Sequence, residues 1–378
     1  MIHRMLSEDI KDVLANDNKI IVVYGARQVG KSTLIHSIIQ DIGVKTAKAN
    51  GDELAYHGVF TARNLGVMKE FIDDAKLLFI DEAQSIKNIG INLKILHDAM
   101  PEIKVIITGS SSIDLASDIK EPLTGRTQSY VLFPVALGEL RTNKSKFEIR
   151  QELSQYLIYG MYPEILTTST ISKKILRLKE LASAYLYKDV LMLANLRNND
   201  KIFKLLQLLA YQIGQPVSVH ELSNNIGLSS ETVNHYIDLL EKSFVIFRLS
   251  GYSNNPRKEI SKMNKIYFYD LGIRNTLIDN FQPLDQRIDK GQLFENFFIM
   301  EKIKKNSYQG DYSRYYFWRT YSGAEVDFIE AKDEKLIGYE VKANNKVGKA
   351  PKSWLENYKN STFISINLDN YLQYLLTD

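Results

Sequence analysis

The sequence predicts an α/β fold built in several parts and led by a parallel sheet wrapped in helices. Three observations predict it. Short, continuous apolar runs recur at Ile20 to Tyr24, Leu77 to Ile80 and Ile103 to Thr108, with helical stretches between them. Each run ends at once in glycine, acidic or serine residues, as strands do at the ligand-binding edge of such a sheet. The chain has 378 residues, too many for one core, so two to four domains are expected.

Composition narrows the class. Hydrophobic residues make up 44% and charged residues 25%, the proportions of an ordinary globular protein. No run of about 18 apolar residues exists, so no transmembrane helix and no membrane partner are expected. The first residues, MIHRMLSEDIKD, lack the apolar core of a secretory signal. Cysteine is absent, which excludes disulfides and thiolate metal sites and suits a reducing cytoplasm. A net charge of +3 does not by itself argue for nucleic acid.

Residues 4–16 read as an amphipathic helix, with Met5, Leu6, Ile10, Val13 and Leu14 on one side. The β-branched run Ile20 to Tyr24 follows as a buried strand. Then comes Gly25-Ala26-Arg27-Gln28-Val29-Gly30-Lys31-Ser32-Thr33, which fills the pattern G-x-x-x-x-G-K-[ST]. A phosphate needs several backbone N–H groups aimed at one point, and glycine permits the torsions this demands. The helix starting near Ser32 turns its N-terminus to the same anion. Lys31 reaches the β- and γ-phosphates, and the Ser32 hydroxyl holds Mg²⁺. ATP and Mg²⁺ are therefore the expected cofactors.

A second strand is expected over Val44 to Ala49, and a helix over Asn64 to Asp73. The strand Leu77 to Ile80 then ends in Asp81-Glu82. An aspartate at the carboxyl end of a buried parallel strand is placed to hold the Mg²⁺ shell, and Glu82 beside it to polarise the attacking water. The third strand, Ile103 to Thr108, runs into Gly109-Ser110-Ser111-Ser112. Ser110 and Thr108 are candidates to sense the γ-phosphate or the water; the alternative is a serine-rich loop that caps the next helix. After Leu123-Thr124-Gly125-Arg126, another strand is expected over Tyr130 to Val135.

The succession GARQVGKST, LLFIDEAQ, IITGSSS, LTGRTQSYVLFP and, later, GMYPE resembles the AAA-type P-loop ATPases whose C-terminal half is a restriction-endonuclease-like domain of unknown function. The resemblance covers nearly the whole chain and is most specific in its P-loop half. It implies that the Gly125-Arg126 pair precedes the last sheet strand. Arg126 is then a candidate to stabilise charge on the transferred phosphoryl group, in its own subunit or a neighbouring one. Its other reading is a surface salt bridge.

Asn143 to Lys146 is polar and basic, and the first boundary is placed near it. Residues 147–196 read as helical, broken at Gly160-Met161-Tyr162-Pro163. Residues 201–250 then follow a helix, helix, helix, strand rhythm, with Lys265 to Tyr269 as the partner of the Phe244 to Leu249 strand. That is the pattern of a winged helix-turn-helix. Its third helix carries Glu231, Asp238 and Glu241, which is not the face a phosphate backbone wants, whereas the wing loop with Arg257, Lys258 and Lys262 is basic. DNA binding and a packing role both stand.

The last unit holds the apolar helix Gly291 to Lys304 with Glu295 inside it, and the strands Tyr315 to Trp318, Glu325 to Ile329 and Leu336 to Val341. Asp327, a hairpin and Glu340-Val341-Lys342 form the constellation of the PD-(D/E)xK nucleases. Residues two apart on a strand share a face, so Glu340 and Lys342 sit together and Asp327 opposes them. Asp327 and Glu340 are candidate Mg²⁺ ligands, and Lys342 is a candidate to steady a water or phosphate. The resemblance adds Glu295 to the metal set. Alternating acids and lysines are also common on solvated hairpins.

The expected architecture is thus an AAA-type P-loop ATPase domain over 1–143 and a helical connector over 144–200. A winged helix-turn-helix follows over 201–284 and an endonuclease-like domain over 285–378. The expected activity is ATP hydrolysis in the cytoplasm, coupled to DNA binding or processing, with a homo-oligomer possible. The alternative is a nucleotide-switched regulatory or scaffolding protein whose nuclease-like domain binds a partner without cutting.

Overall fold

A computed structural model describes residues 2–110, 122–185, 199–253 and 263–376. Ser111, Ser112 and the basic loop residues Arg257, Lys258 and Lys262 lie outside the described residues. The chain forms two compact units: Met1–Pro134 with Lys242–Phe244, and Val135–Glu241 with Val245–Asp378. Among the described residues, no helix is long and apolar enough to cross a membrane.

The first unit is a mixed α/β structure around a parallel five-stranded sheet, in the order β2-β3-β4-β1-β5. Its strands are β1 (Ile20–Tyr24), β2 (Thr46–Asn50), β3 (Leu77–Asp81), β4 (Lys104–Gly109) and β5 (Thr127–Val131). All five residues of β1 are buried, as expected of a strand with neighbours on both sides in a parallel sheet. The registers Val22↔Ile107 and Ile80↔Ile107 align β1, β4 and β3 in one row. Two steps beyond that row, three carboxyl ends meet at one edge: Tyr24, which Gly25 follows, at the end of β1, Gly109 at the end of β4, and Glu82 after β3.

Two differences from the expected elements have simple causes. The last strand of this sheet lies at Thr127–Val131, a few residues earlier than the apolar run Tyr130 to Val135 suggested. Pro134 has no N–H for a ladder, and the pairing Ile20↔Thr127 sets the register from the other end. The helix Ile89–Ala99 was not among the expected elements, although its buried Ile89, Leu93 and Leu96 recur at helical spacing.

The second unit opens with a group of helices, including Leu153–Tyr159, Ile171–Tyr185 and Asn199–Tyr211. The Gly160-Met161 turn has a structural explanation. The buried carboxylate of Asp270 accepts the Met161 amide (2.7 Å) and the Ile273 amide (3.1 Å). Gly160 has φ +74°, and a Cβ there would lie 2.1 Å from an Asp270 oxygen, so only glycine fits.

Helices Val219–Ile226 and Ser230–Lys242 follow, then the hairpin β7 (Ile246–Gly251) and β8 (Asn264–Phe268), with the short β6 (Pro216–Val217) beside it. This hairpin does not close on itself. Strand β7 pairs in parallel with β9 (Arg314–Arg319) through Ser250↔Tyr316 and Gly251↔Phe317. With β10 (Glu325–Lys332), β11 (Lys335–Val341) and β12 (Ser361–Ile366) the result is one seven-stranded sheet, β12-β11-β10-β9-β7-β8-β6. The boundary expected between 284 and 285 therefore does not divide the sheet. The pairing that crosses it joins segments about 65 residues apart in sequence, beyond the reach of local periodicity.

A buried ionic network ties the helix Leu271–Leu277 to its neighbours. Asn275 donates to the carbonyls of Leu157 (3.0 Å) and Ile158 (2.8 Å), and Arg274 donates to that of Ala210 (2.8 Å). Arg274 and Arg287 both grip Asp289, at 2.5 and 2.8 Å. Burial opposes the Asp289 charge, but hydrogen bonds from Arg287 and Arg274 outweigh it and hold the carboxyl at about 2, below its ordinary 3.8. A carboxyl depressed in the folded state contributes its full stability above about pH 4 and loses it as pH falls toward 2. The melting temperature of wild type is therefore expected to fall over that window more steeply than that of Asp289→Asn, which is expected to be less stable at neutral pH. Parallel acid melts of the two proteins check this.

Candidate functional sites

The first site lies on the carboxyl edge of the five-stranded sheet. Gly25 must be glycine: a Cβ would sit 2.2 Å from the Leu132 carbonyl oxygen, because β5 continues past the loop through the bond from Leu132 N–H to Tyr24 O (2.8 Å). Gln28 (φ +57°) and Gly30 (φ +97°) turn the loop, and the helix Lys31–Ile42 begins directly after it. The Lys31 ammonium is buried and donates to the carbonyls of Gly25 and Ala26, both at 2.9 Å. Loop, lysine and helix start thus share one point in the structure.

Asp81 ends β3 on the same edge, two strands from β1, or roughly 10 Å at ordinary strand spacing. On the intervening strand the Thr108 hydroxyl donates to the Asp81 carboxylate and accepts the Glu82 amide (3.2 Å). Glu82 is held in left-handed backbone (φ +47°). Gly51 makes room for it, since a Cβ there would lie 2.2 Å from the Glu82 carbonyl oxygen. The side-chain amide of Gln84 donates to Glu82 (2.5 Å) and to the Ser110 hydroxyl (3.3 Å), which brings Ser110 to the acidic pair. Gln84 was not singled out from the sequence. Its place in LLFIDEAQ was visible, but its role as a bridge depends on β3 and β4 being neighbours.

Arg4 was missed as well. Its guanidinium is buried and donates to the Val29 carbonyl (2.5 Å) and the Phe133 carbonyl (2.6 Å). The Val29 carbonyl and the Gly30 N–H belong to one planar trans peptide and point in opposite directions. Holding the oxygen outward on Arg4 turns that N–H into the loop.

Arg126 is not at this site. Its carbonyl accepts the Ile20 amide (2.8 Å), which places it at the amino edge of β1 and β5. The four steps from Thr127 to Val131 span roughly 13 Å, so Arg126 does not reach the loop of its own chain. Its guanidinium grips Asp98 instead, at 2.9 and 3.3 Å, and holds the exposed Asp98 carboxyl below the usual range. The expectation of action within its own subunit is corrected on this geometry.

The second group of charges is in the other unit. Antiparallel register continued from Phe328↔Tyr339 sets Asp327 opposite Glu340. Glu295 points to the same place from the helix Lys290–Tyr308, and Glu325 lies two residues before Asp327. The Lys265 side chain from β8 enters this cluster. Its Nζ lies 2.6 Å from Glu325, 3.4 Å from Glu295 and 3.8 Å from Asp327, with only 2% of the side chain exposed. Lys342 pairs with Glu340 at 2.5 Å. Asp327 Oδ2 accepts the Val341 amide (2.9 Å), and Glu295 accepts the Tyr267 hydroxyl (2.6 Å).

Burial raises the Glu295 carboxyl to about 7, with Lys265 pulling it down and Asp327 pushing it up. Burial also raises Asp327 and Glu340. For Lys265, burial opposes the charge, yet Glu295, Asp327 and Glu325 outweigh it and keep the ammonium protonated above its ordinary range. A cleft of about 360 Å³ opens beside the cluster, lined by Lys290, Gln292, Glu295, Lys342 and Asn344 among others. Among the described residues, no group of three or more His, Cys, Asp or Glu side chains is arranged to hold a metal ion.

Known proteins resemble the chain segment by segment. Residues 17–141 match the family model described as AAA domain. Residues 150–284 match Domain of unknown function (DUF8612), and residues 290–371 match Domain of unknown function (DUF4143). An uncharacterized protein of Methanocaldococcus jannaschii is 26% identical over 374 residues, covering 91% of this chain and 79% of its own length. An uncharacterized protein of Mycobacterium tuberculosis is 25% identical over 327 residues, covering 85% of this chain and 70% of its own. Among solved structures, the Thermotoga maritima RuvB Holliday junction branch migration motor is 16% identical with a TM-score of 0.35, covering 68% of this chain and 91% of that one. Residues 17–141 thus resemble AAA-type P-loop domains, a class that binds and hydrolyses ATP.

Two substitutions test the first site. Lys31→Ala is expected to abolish ATP binding or turnover; normal turnover would overturn the assignment. Arg4→Ala is expected to weaken ATP binding by about tenfold, or about 1.4 kcal/mol. Tripolyphosphate should weaken by the same factor, because the defect lies in the phosphate loop. Competition titrations with both ligands read this out.

Proposed function

We propose that this chain hydrolyses ATP with Mg²⁺ and couples the cycle to DNA binding or processing by its second unit. The observation that carries the ATPase reading is the convergence of the phosphate loop, Thr108 and the Asp81-Glu82 pair on adjacent strand ends of one sheet. The loop amides of Gly25 to Thr33 and the Lys31 ammonium bind the phosphates. Ser32 and Asp81 would hold Mg²⁺, since they offer a hydroxyl and a carboxylate, the oxygen donors that ion prefers. When bound, the ion offsets charge on the phosphates. Glu82 orients the attacking water, and Gln84, whose amide also donates to Ser110, holds that carboxylate in place. Arg126 acts, on this reading, on the nucleotide of a neighbouring copy, from its position immediately before β5.

The DNA-coupled output rests on the helices Val219–Ile226 and Ser230–Lys242 followed by the β7-β8 hairpin, the succession of a winged helix-turn-helix. The acids Asp238 and Glu241 of the third helix are drawn onto Arg248, at 2.7 and 2.6 Å, which tempers their repulsion of a phosphate backbone. The second reading is a nucleotide-switched regulator whose nuclease-like domain binds without cutting. One observation favours it: Glu295, Asp327 and Glu340, the expected cation ligands, all face protein ammonium groups.

Three measurements test these readings, and the third separates them. Glu82→Gln is expected to bind ATP and lose turnover. Turnover per chain is expected to rise with protein concentration in wild type, and to stay at its low-concentration value in Arg126→Ala. In a plasmid-nicking assay with Mg²⁺ or Mn²⁺, cutting by wild type and not by Asp327→Ala supports nuclease action. Absence of cutting by both supports the non-cutting reading.

A further inference from the structure

We infer that Lys265 is a built-in replacement for the divalent cation of the endonuclease-like cluster, and that this unit holds its acids together without metal. The inference deepens the non-cutting reading. Three carboxylates, Glu295, Glu325 and Asp327, approach one ammonium that is 2% exposed. They come from a helix and one strand, and the ammonium from another strand, so the convergence is tertiary and not a local salt bridge.

The spacing suits an ammonium and not a small dication. The Nζ to oxygen distances run from 2.6 to 3.8 Å, whereas Mg²⁺ requires oxygens at about 2.1 Å in near-octahedral array. The carboxylates have further partners within the protein. Asp327 takes the Val341 amide, Glu295 takes the Tyr267 hydroxyl, and Glu340 takes Lys342. A cation entering here would have to displace a tethered positive charge. That charge belongs to β8, the strand of the hairpin, while its acids belong to β10 and the helix Lys290–Tyr308. In a metal-dependent centre the ion would bind acids of one module and leave with a chelator. Here the equivalent charge is covalently part of the neighbouring strand and holds hairpin to cluster permanently. Lys265 also lies 5.6 Å from the centroid of the Phe317 ring, so an aromatic face closes another side of it.

The probe is Mn²⁺ alone, without nucleotide, added to the full chain carrying Asp81→Ala to silence the other candidate metal position. Bound Mn²⁺ is counted by electron paramagnetic resonance, and melting temperature is followed in parallel. With Lys265 present, no Mn²⁺ site sensitive to Asp327→Asn is expected, and melting should not respond to Mn²⁺. Lys265→Ala is expected to melt lower, to gain one Mn²⁺ site at least tenfold tighter than any in its parent, and to regain melting temperature when Mn²⁺ is added. The gained site should vanish in Lys265→Ala/Asp327→Asn. An Mn²⁺ site already present with Lys265 and lost in Asp327→Asn overturns the inference, and so does a folded Lys265→Ala that gains none. Should Lys265→Ala not fold, the comparison with Lys265 in place still decides the matter, and Lys265→Met supplies a better-packed substitute. Plasmid nicking is scored separately, so a chain that cuts without this site would sink the non-cutting reading and leave the inference about Lys265 standing.

Discussion

The first unit depends on one constraint: a parallel sheet sends all its carboxyl ends to a single edge. Backbone polar groups released there cannot pair with a neighbouring strand, so they turn to side chains, glycine turns and ligands. The close approach of β5 to Gly25 and of Glu82 to Gly51 shows how tightly that edge is packed. Left-handed backbone at the non-glycine residues Gln28 and Glu82 accompanies it. Strained backbone of this kind persists only where the surroundings over-determine it, and here the surroundings are the strand ends themselves.

The second unit uses buried charge for the same purpose of holding distant segments together. Asp270 locks the Gly160-Met161 turn, Asp289 is shared by two arginines, and Lys265 gathers three acids. Each of these groups would be costly alone in a dry interior, and each is matched by opposite charge or backbone N–H groups. Such networks add little net stability over an apolar replacement, but breaking one partner leaves an uncompensated charge.

Some features were legible from residue order. The glycine spacing of the loop, the apolar strand before it and the acids after Leu77 to Ile80 are local patterns, and they lie in the structure as elements on one sheet edge. The parity of Glu340 and Lys342 was legible for the same reason. Arg4, Gln84 and Lys265 were not, since each works through partners more than 20 residues away or on a neighbouring strand. Arg126 shows the converse: its place before a strand was readable, but the edge of the sheet on which it falls follows from the pairing of Ile20 with Thr127.

The sequence by itself determined the α/β class of the first unit, because short buried strands alternating with helices are patterns carried by consecutive residues. Only the tertiary structure decided that the β7-β8 hairpin belongs to the same sheet as β9 to β11, and that a lysine from one meets the acids of the other. Strand pairing and buried charge compensation are long-range events. Their energy depends on what lies across the sheet, which no window along the chain contains.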